Sequence, residues 1–147
     1  LWNWYFEWGW GFEGWQNCEG EPLSAGPGMA LQMLRMALVR ETIETAHQDT
    51  LRLLDGAPAH WFDPGKRIIV RNAPTFFGKI SFETEGSASG VRAHVTRSPG
   101  FRARQVILHL PRPVRTVTVD GKPWSSFSGE EITLPEGESI EIAASVQ

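Results

Sequence analysis

An antiparallel β-sandwich is the fold class this sequence predicts, and three observations predict it. From about residue 48 onward, apolar residues recur with a period of two rather than 3.6. Seven or eight such segments follow one another to the end of the chain, with turn residues between them. No helical pattern separates the segments, as a βαβ fold would require. One apolar helix and an aromatic-rich segment precede the strands, so the fold class is mainly β with a short helical preface.

The preface comes first. Five of the seven tryptophans lie within the first fifteen residues (Trp2, Trp4, Trp8, Trp10 and Trp15), joined by Tyr5, Phe6 and Phe12. At about 150–250 Å² per ring, this is far more apolar surface than a soluble monomer leaves in one exposed patch. Something has to cover it. Pro27-Gly28 then leads into Met29–Glu41, a run of strong helix formers. Leu31, Leu34 and Leu38 form the expected core stripe, while Met29, Met33, Met36, Ala37 and Val39 spread apolar surface around the rest of the circumference. A helix apolar nearly all round is usually enclosed by other elements; the plainer reading is a helix packed flat on a sheet. The expectation is a helix over about residues 25–43 that ends a larger helical domain, with residues 1–46 its C-terminal remnant and residues 47–147 a sandwich.

The expected strands are Asp49–Leu54, Lys66–Arg71, Gly78–Glu83, Val91–Thr96, Arg104–Leu110, Val114–Val119, Ile132–Leu134 and Ser139–Ala143. Pro58–Phe62 reads as a turn with a buried Trp61, and Asp63-Pro64-Gly65 is explicit turn chemistry. Val91, Ala93 and Val95 alternate with Arg92, His94 and Thr96, as in a half-buried strand. Gly86-Ser87-Ala88-Ser89-Gly90 has the size of a hairpin loop, and Asp120-Gly121 is a strong hairpin signal.

Composition narrows the function. The 147 residues carry a net charge of −3, 41% hydrophobic and 21% charged residues. This is globular composition, without the basic balance of a nucleic-acid binder. No apolar run reaches the length of a membrane span. Cys18 is the single cysteine, so no internal disulfide is expected. No residues have metal-ligand spacing, no nucleophile motif is present, and no cofactor is expected. The chain opens on Leu1 without a basic and then apolar leader, which reads as an internal start.

Two features suggest chemistry. Six arginines (Arg92, Arg97, Arg102, Arg104, Arg112 and Arg115) and no acid lie between Val91 and Val119, whereas six acids and one lysine follow from Asp120. Such blocks on neighbouring strands are most simply cross-strand ion pairs and edge protection; the other reading is a patch for an anionic glycan or partner. The second feature is Trp2–Glu21, where Glu7, Glu13, Glu19 and Glu21 stand among aromatic rings with no basic residue. Aromatic faces stack on sugars, and glycosidases canonically use a pair of carboxyls. A carboxyl desolvated among tryptophans has a raised pKa, as a general acid needs. An aromatic interdomain plug would have the same composition.

A resemblance joins these observations. Asp49-Thr50-Leu51-Arg52-Leu53-Leu54-Asp55-Gly56-Ala57-Pro58, Trp61, Pro64-Gly65-Lys66-Arg67-Ile68, Val70-Arg71-Asn72-Ala73-Pro74-Thr75-Phe76-Phe77-Gly78 and Val117-Thr118-Val119-Asp120-Gly121-Lys122-Pro123-Trp124 resemble the C-terminal region of large bacterial glycoside hydrolases. Those enzymes join an (α/α)6-toroid catalytic domain to a β-sandwich. The resemblance covers roughly residues 30–135, and Asn-Ala-Pro-Thr-x-x-Gly is its most specific part. In α-L-rhamnosidase-type members, a Trp-Glu-containing segment before the last toroid helices supplies the catalytic base. Trp4-Tyr5-Phe6-Glu7-Trp8-Gly9-Trp10 is loosely similar, with Glu7 after Phe6 rather than after a tryptophan.

The resemblance implies a glycoside hydrolase whose last toroid helix and accessory sandwich make up this chain. Glu7 is then the candidate catalytic carboxylate, and Trp4, Trp8, Trp10 and Glu13 are the candidate substrate contacts. The implied partners are carbohydrate and an N-terminal helical domain of the same protein. Secretion or export to the periplasm fits a polysaccharide-degrading parent. The rival is a non-catalytic sugar-binding or structural module, with Trp61, Trp124, Phe101 and Phe127 as its candidate aromatic platform.

Overall fold

The computed structural model describes residues 25–42 and 49–147. The chain divides into two units, Leu1–Met36 and Ala37–Gln147.

Of the first unit, the described part belongs to helix α1 (Ala25–Leu38). Met29, Leu31, Leu34 and Met36 are exposed, Leu31 at 69%. Of the expected stripe Leu31–Leu34–Leu38, Leu38 alone packs against the sandwich core.

The helix was expected to continue to about residue 43, but Val39–Thr42 is a strand, β1. The competing interaction is the next segment: Val39 pairs with Leu53 and Thr42 with Thr50 of β2 (Thr50–Leu53), so Val39 enters the core. The helix carbonyls left open at this exit are taken by the turn after β2. Leu54 N–H donates to the Leu38 carbonyl (2.9 Å) and Gly56 N–H to the Ala37 carbonyl (3.2 Å). Leu54 adopts φ 62° to do so while fully buried.

A 3₁₀ turn, Ala59–Phe62, crosses to the second sheet. Here Phe62, rather than the expected Trp61, is the buried ring, and Trp61 packs partly exposed beside it. Then come β3 (Arg67–Thr75), β4 (Gly78–Ser87), β5 (Gly90–Arg97), β6 (Gln105–His109), β7 (Val114–Val119) and β8 (Lys122–Trp124). The short β9 (Phe127–Ser128), β10 (Glu131–Leu134) and β11 (Ser139–Val146) complete the described strands.

One sheet has the order β1-β2-β6-β10-β9 and the other β3-β4-β5-β11-β7-β8. Every pairing is antiparallel except β2 with β6, which is parallel. The chain leaves the first sheet after β2, builds three strands of the second, and returns at β6 running in the same direction.

Period-two burial follows the expected alternation. Val91, Ala93 and Val95 face inward while Arg92, His94 and Thr96 face solvent. Leu51, Leu53 and Leu108 of one sheet meet Ile80, Val95 and Ile140 of the other in a single core cluster. Burial of each such side chain contributes about 1.5–3 kcal/mol relative to exposure.

The β3–β4 hairpin accounts locally for the Asn72–Gly78 run. Asn72 (φ 51°) forms a bulge where the register shifts between Val70 and Ala73, and its N–H donates to Ser81 Oγ (2.9 Å). Pro74 sits on an edge strand, where a missing N–H is tolerated. Thr75 Oγ1 donates to the Gly78 carbonyl (2.6 Å) and accepts from Phe77 N–H (3.0 Å). Gly78 has φ 125°, open only to glycine. Phe76 at the tip is 76% exposed, and its N–H donates to Glu41 Oε1 of β1 (2.6 Å).

Candidate functional site

Glu7, Trp4, Trp8, Trp10 and Glu13 lie outside the described residues, as do Cys18 and His47. What the sandwich itself can do is read from its two outer faces.

The candidate aromatic platform is largely spent on packing. Trp61, Trp124, Phe101 and Phe127 all lean on the core. Trp124 donates its indole N–H to the Thr133 carbonyl (2.8 Å), from β8 of one sheet to β10 of the other. Phe101 stands edge-on to Phe77 and under the Arg97 guanidinium, 5.8 Å from Cζ to the ring centroid. Among the described residues, the exposed aromatic ring is Phe76, at 76%, which neither periodicity nor turn chemistry singled out.

The described histidines do not converge. His94 on the outer face of β5 lies 2.9 Å from Ser139 Oγ and 3.8 Å from Glu141. His109 Nε2, at the end of β6, is 3.3 Å from Glu130 in the turn before β10 of the same sheet. Among the described residues, no group of three or more His, Cys, Asp or Glu could hold a metal ion.

The expected ion pairs between the arginine block and the later acids are not formed. The described salt bridges of arginine join Arg40 and Arg52 to Asp55, Arg52 to Glu131, and Arg67 to Glu83. None of the six arginines from Arg92 to Arg115 takes part in one among the described residues. Strand register is the reason. Arg92 faces Ala143 on one side and Glu85 on the other, while the acid Glu141 falls opposite His94. Arg97 turns inward like Val95, where burial pushes its pKa below the ordinary arginine value and Glu136 partly opposes the shift. Its Nε and Nη2 are buried without a hydrogen-bond partner.

Charge is spread unevenly along the strands of the second sheet. Arg92, Arg112 and Arg115 stand at the end where β4 and β11 finish and β5 and β7 begin. Asp120, Glu136 and Glu138 stand at or beyond the opposite end, with Glu141 just inside it, and share it with Lys79, Arg97 and Lys122.

At the arginine end, the outer face holds a solvent-open depression of about 540 Å³. Two rows of paired residues make it. One row crosses the sheet as Glu85, Arg92, Ala143 and Thr118; the next as Ser87, Gly90, Ser145 and Thr116. Ala143 and Gly90 leave the middle of both rows low, and longer side chains rise on either side. Thr116 and Ser145 share a hydroxyl–hydroxyl hydrogen bond (2.6 Å), and Ser87 Oγ donates to the Gly90 carbonyl (2.9 Å). A side chain at position 90 is excluded for a separate reason, because a Cβ there would stand 1.9 Å from the Ala144 carbonyl oxygen. The depression offers hydroxyls that donate or accept, one carboxylate and one guanidinium with no ion-pair partner among the described residues.

Comparisons with family models, with curated proteins and with solved structures returned no match for this chain.

Proposed function

We propose that this chain is the C-terminal region of a glycoside hydrolase, with the sandwich as its non-catalytic accessory domain and the catalytic carboxylates elsewhere. The observation that carries the reading is the hairpin built by Asn72–Gly78. Its sequence is the most specific part of the resemblance to toroid glycosidases, and Phe76 N–H is tied to Glu41 of the strand that continues α1. An exposed phenylalanine on such a fixed tip suits a fold that props a neighbouring domain. The apolar, exposed side chains of α1 suit a helix that belongs to a larger helical assembly. On this reading Glu7 supplies the catalytic base and Trp4, Trp8, Trp10 and Glu13 line the sugar site.

The test is hydrolysis of a panel of aryl glycosides and polysaccharides by the product of the whole reading frame that contains this chain. Turnover abolished by Glu7→Gln, with folding retained, is expected. A protein that hydrolyses none of them, or one in which Glu7→Gln is fully active, overturns the assignment in whole or for Glu7.

The second reading, a sandwich that itself binds carbohydrate, is favoured by the hydroxyl-lined depression on the β4-β5-β11-β7 face.

A further inference from the structure

We infer that this depression binds an acidic saccharide, a short glycan carrying a carboxylate of the uronic-acid type. The choice of a sugar rests on the carbohydrate reading above; the choice of an acidic one rests on the site.

The cavity volume, about 540 Å³, falls within the range of small-molecule sites and suits one or two sugar rings. Arg92 rises at its edge with no ion-pair partner among the described residues, although Glu85 is its direct cross-strand neighbour. A free guanidinium is a planar fork that matches a carboxylate with two parallel hydrogen bonds. Thr116, Thr118, Ser145 and Ser89 face the same space with hydroxyls suited to ring hydroxyls, and Glu85 can accept from one more.

Two further arginines give this end of the sheet its sign. Arg112 lines a small adjoining cavity that shares Ser87, Gly90 and Val91 with the depression, and Arg115 precedes Thr116 on β7. Neither has an acidic partner among the described residues. Arg92, Arg112 and Arg115 against the one lining carboxylate, Glu85, give the depression a positive local balance that favours an anion, in a chain whose net charge is −3. No aromatic ring lines the cavity, so affinity comes from charge-assisted hydrogen bonds and falls with salt.

The experiment is titration of the 147-residue protein with oligogalacturonate, with the neutral galactose oligomer of equal length, and with inorganic phosphate, at one ionic strength. Amide chemical shifts and heat are the readouts. Saturable binding of the acidic oligomer, with shifts at Gly90, Ala143 and Ser145, is expected. Arg92→Gln should weaken it about tenfold or more. Ala143→Phe, which fills the floor from an exposed position, should abolish it. Arg102→Gln removes the same charge near the Phe77 end and should change nothing. Equal binding of the neutral oligomer, unaffected by Arg92→Gln, overturns the acidic class. Phosphate binding as tightly as the oligomer, or no binding at all, overturns the site. These outcomes are independent of hydrolysis by the whole protein, so the two proposals fail separately.

Discussion

Trp124 and Thr133 hold the two sheets together at one edge, the indole N–H of a β8 residue reaching the main-chain carbonyl of a β10 residue at 2.8 Å. The same ring packs partly buried against the core, so one side chain supplies both an apolar contact and a directional one. Trp124→Phe keeps most of the first and removes the second. It should destabilise the sandwich by about 1 kcal/mol, the cost of losing one partner of a part-buried carbonyl. Urea unfolding measures it, and an unchanged midpoint would show that the bond contributes nothing.

Arg52 is the centre of an ion-pair chain on the outer face of the first sheet, where it joins Asp55 and Glu131 while Arg40 also reaches Asp55. Burial disfavours its charge, and hydrogen bonds to Glu131 and Asp55 more than offset that, so its pKa stands above the ordinary arginine value. A raised base stabilises the fold at every pH below its unfolded pKa, and the contribution is lost only as pH rises through the folded value. Arg52 itself therefore adds no slope to stability at neutral or mildly alkaline pH. Arg52→Ala should cost about 0.5–1.5 kcal/mol, because Asp55 keeps Arg40 as a partner while Glu131, which is half exposed, loses Arg52. Thermal melts of wild type and variant at low and high salt test this. A difference below experimental error would place the network among surface pairs of no consequence.

Gly86 lies where β4 passes the 3₁₀ turn. Its N–H donates to the Lys66 carbonyl and its carbonyl accepts from Gly65 N–H, each at 2.9 Å. A Cβ there would stand 2.1 Å from the Phe62 carbonyl oxygen and 2.6 Å from that of Asp63. Both obstacles are backbone and cannot swing aside. Gly86→Ala should destabilise by about 2 kcal/mol or more through forced backbone displacement. Gly28→Ala is the control, since nothing lies within 4 Å of a Cβ at that helical position. A calorimetric transition that moves for neither variant would refute the close approach at Gly86.

Much of the sandwich was legible in the sequence because alternation and turn chemistry are local signals. Val91–Thr96 alternates as read, and Asp120-Gly121, at φ 49° and 75°, makes the tight turn between β7 and β8 that its residue types demand. What stayed hidden depended on partners distant in sequence. Val39–Thr42 has helical neighbours and becomes strand only because β2 offers it a ladder. The arginine block looked paired because composition does not state register, and a shift of two residues on β11 would have set Glu141 opposite Arg92. The depression gave no sequence signal for a similar reason. Ala143, Gly90 and Thr118 are unremarkable singly and form a hollow only side by side.

The parallel pairing of β2 with β6 carries a kinetic consequence. Thr50 lies opposite Gln105, and the whole of β3, β4 and β5 is threaded between them. Closing so long a loop costs entropy before any contact rewards it. The β3–β4–β5 meander needs only hairpin turns and can form beforehand. The expected order is therefore the meander first and the β2–β6–β10 ladder later, which makes that ladder the rate-limiting step of folding. Pulse-labelled hydrogen exchange should find the Phe82 amide protected before that of Leu108, and simultaneous protection would mean that both sheets condense in one event.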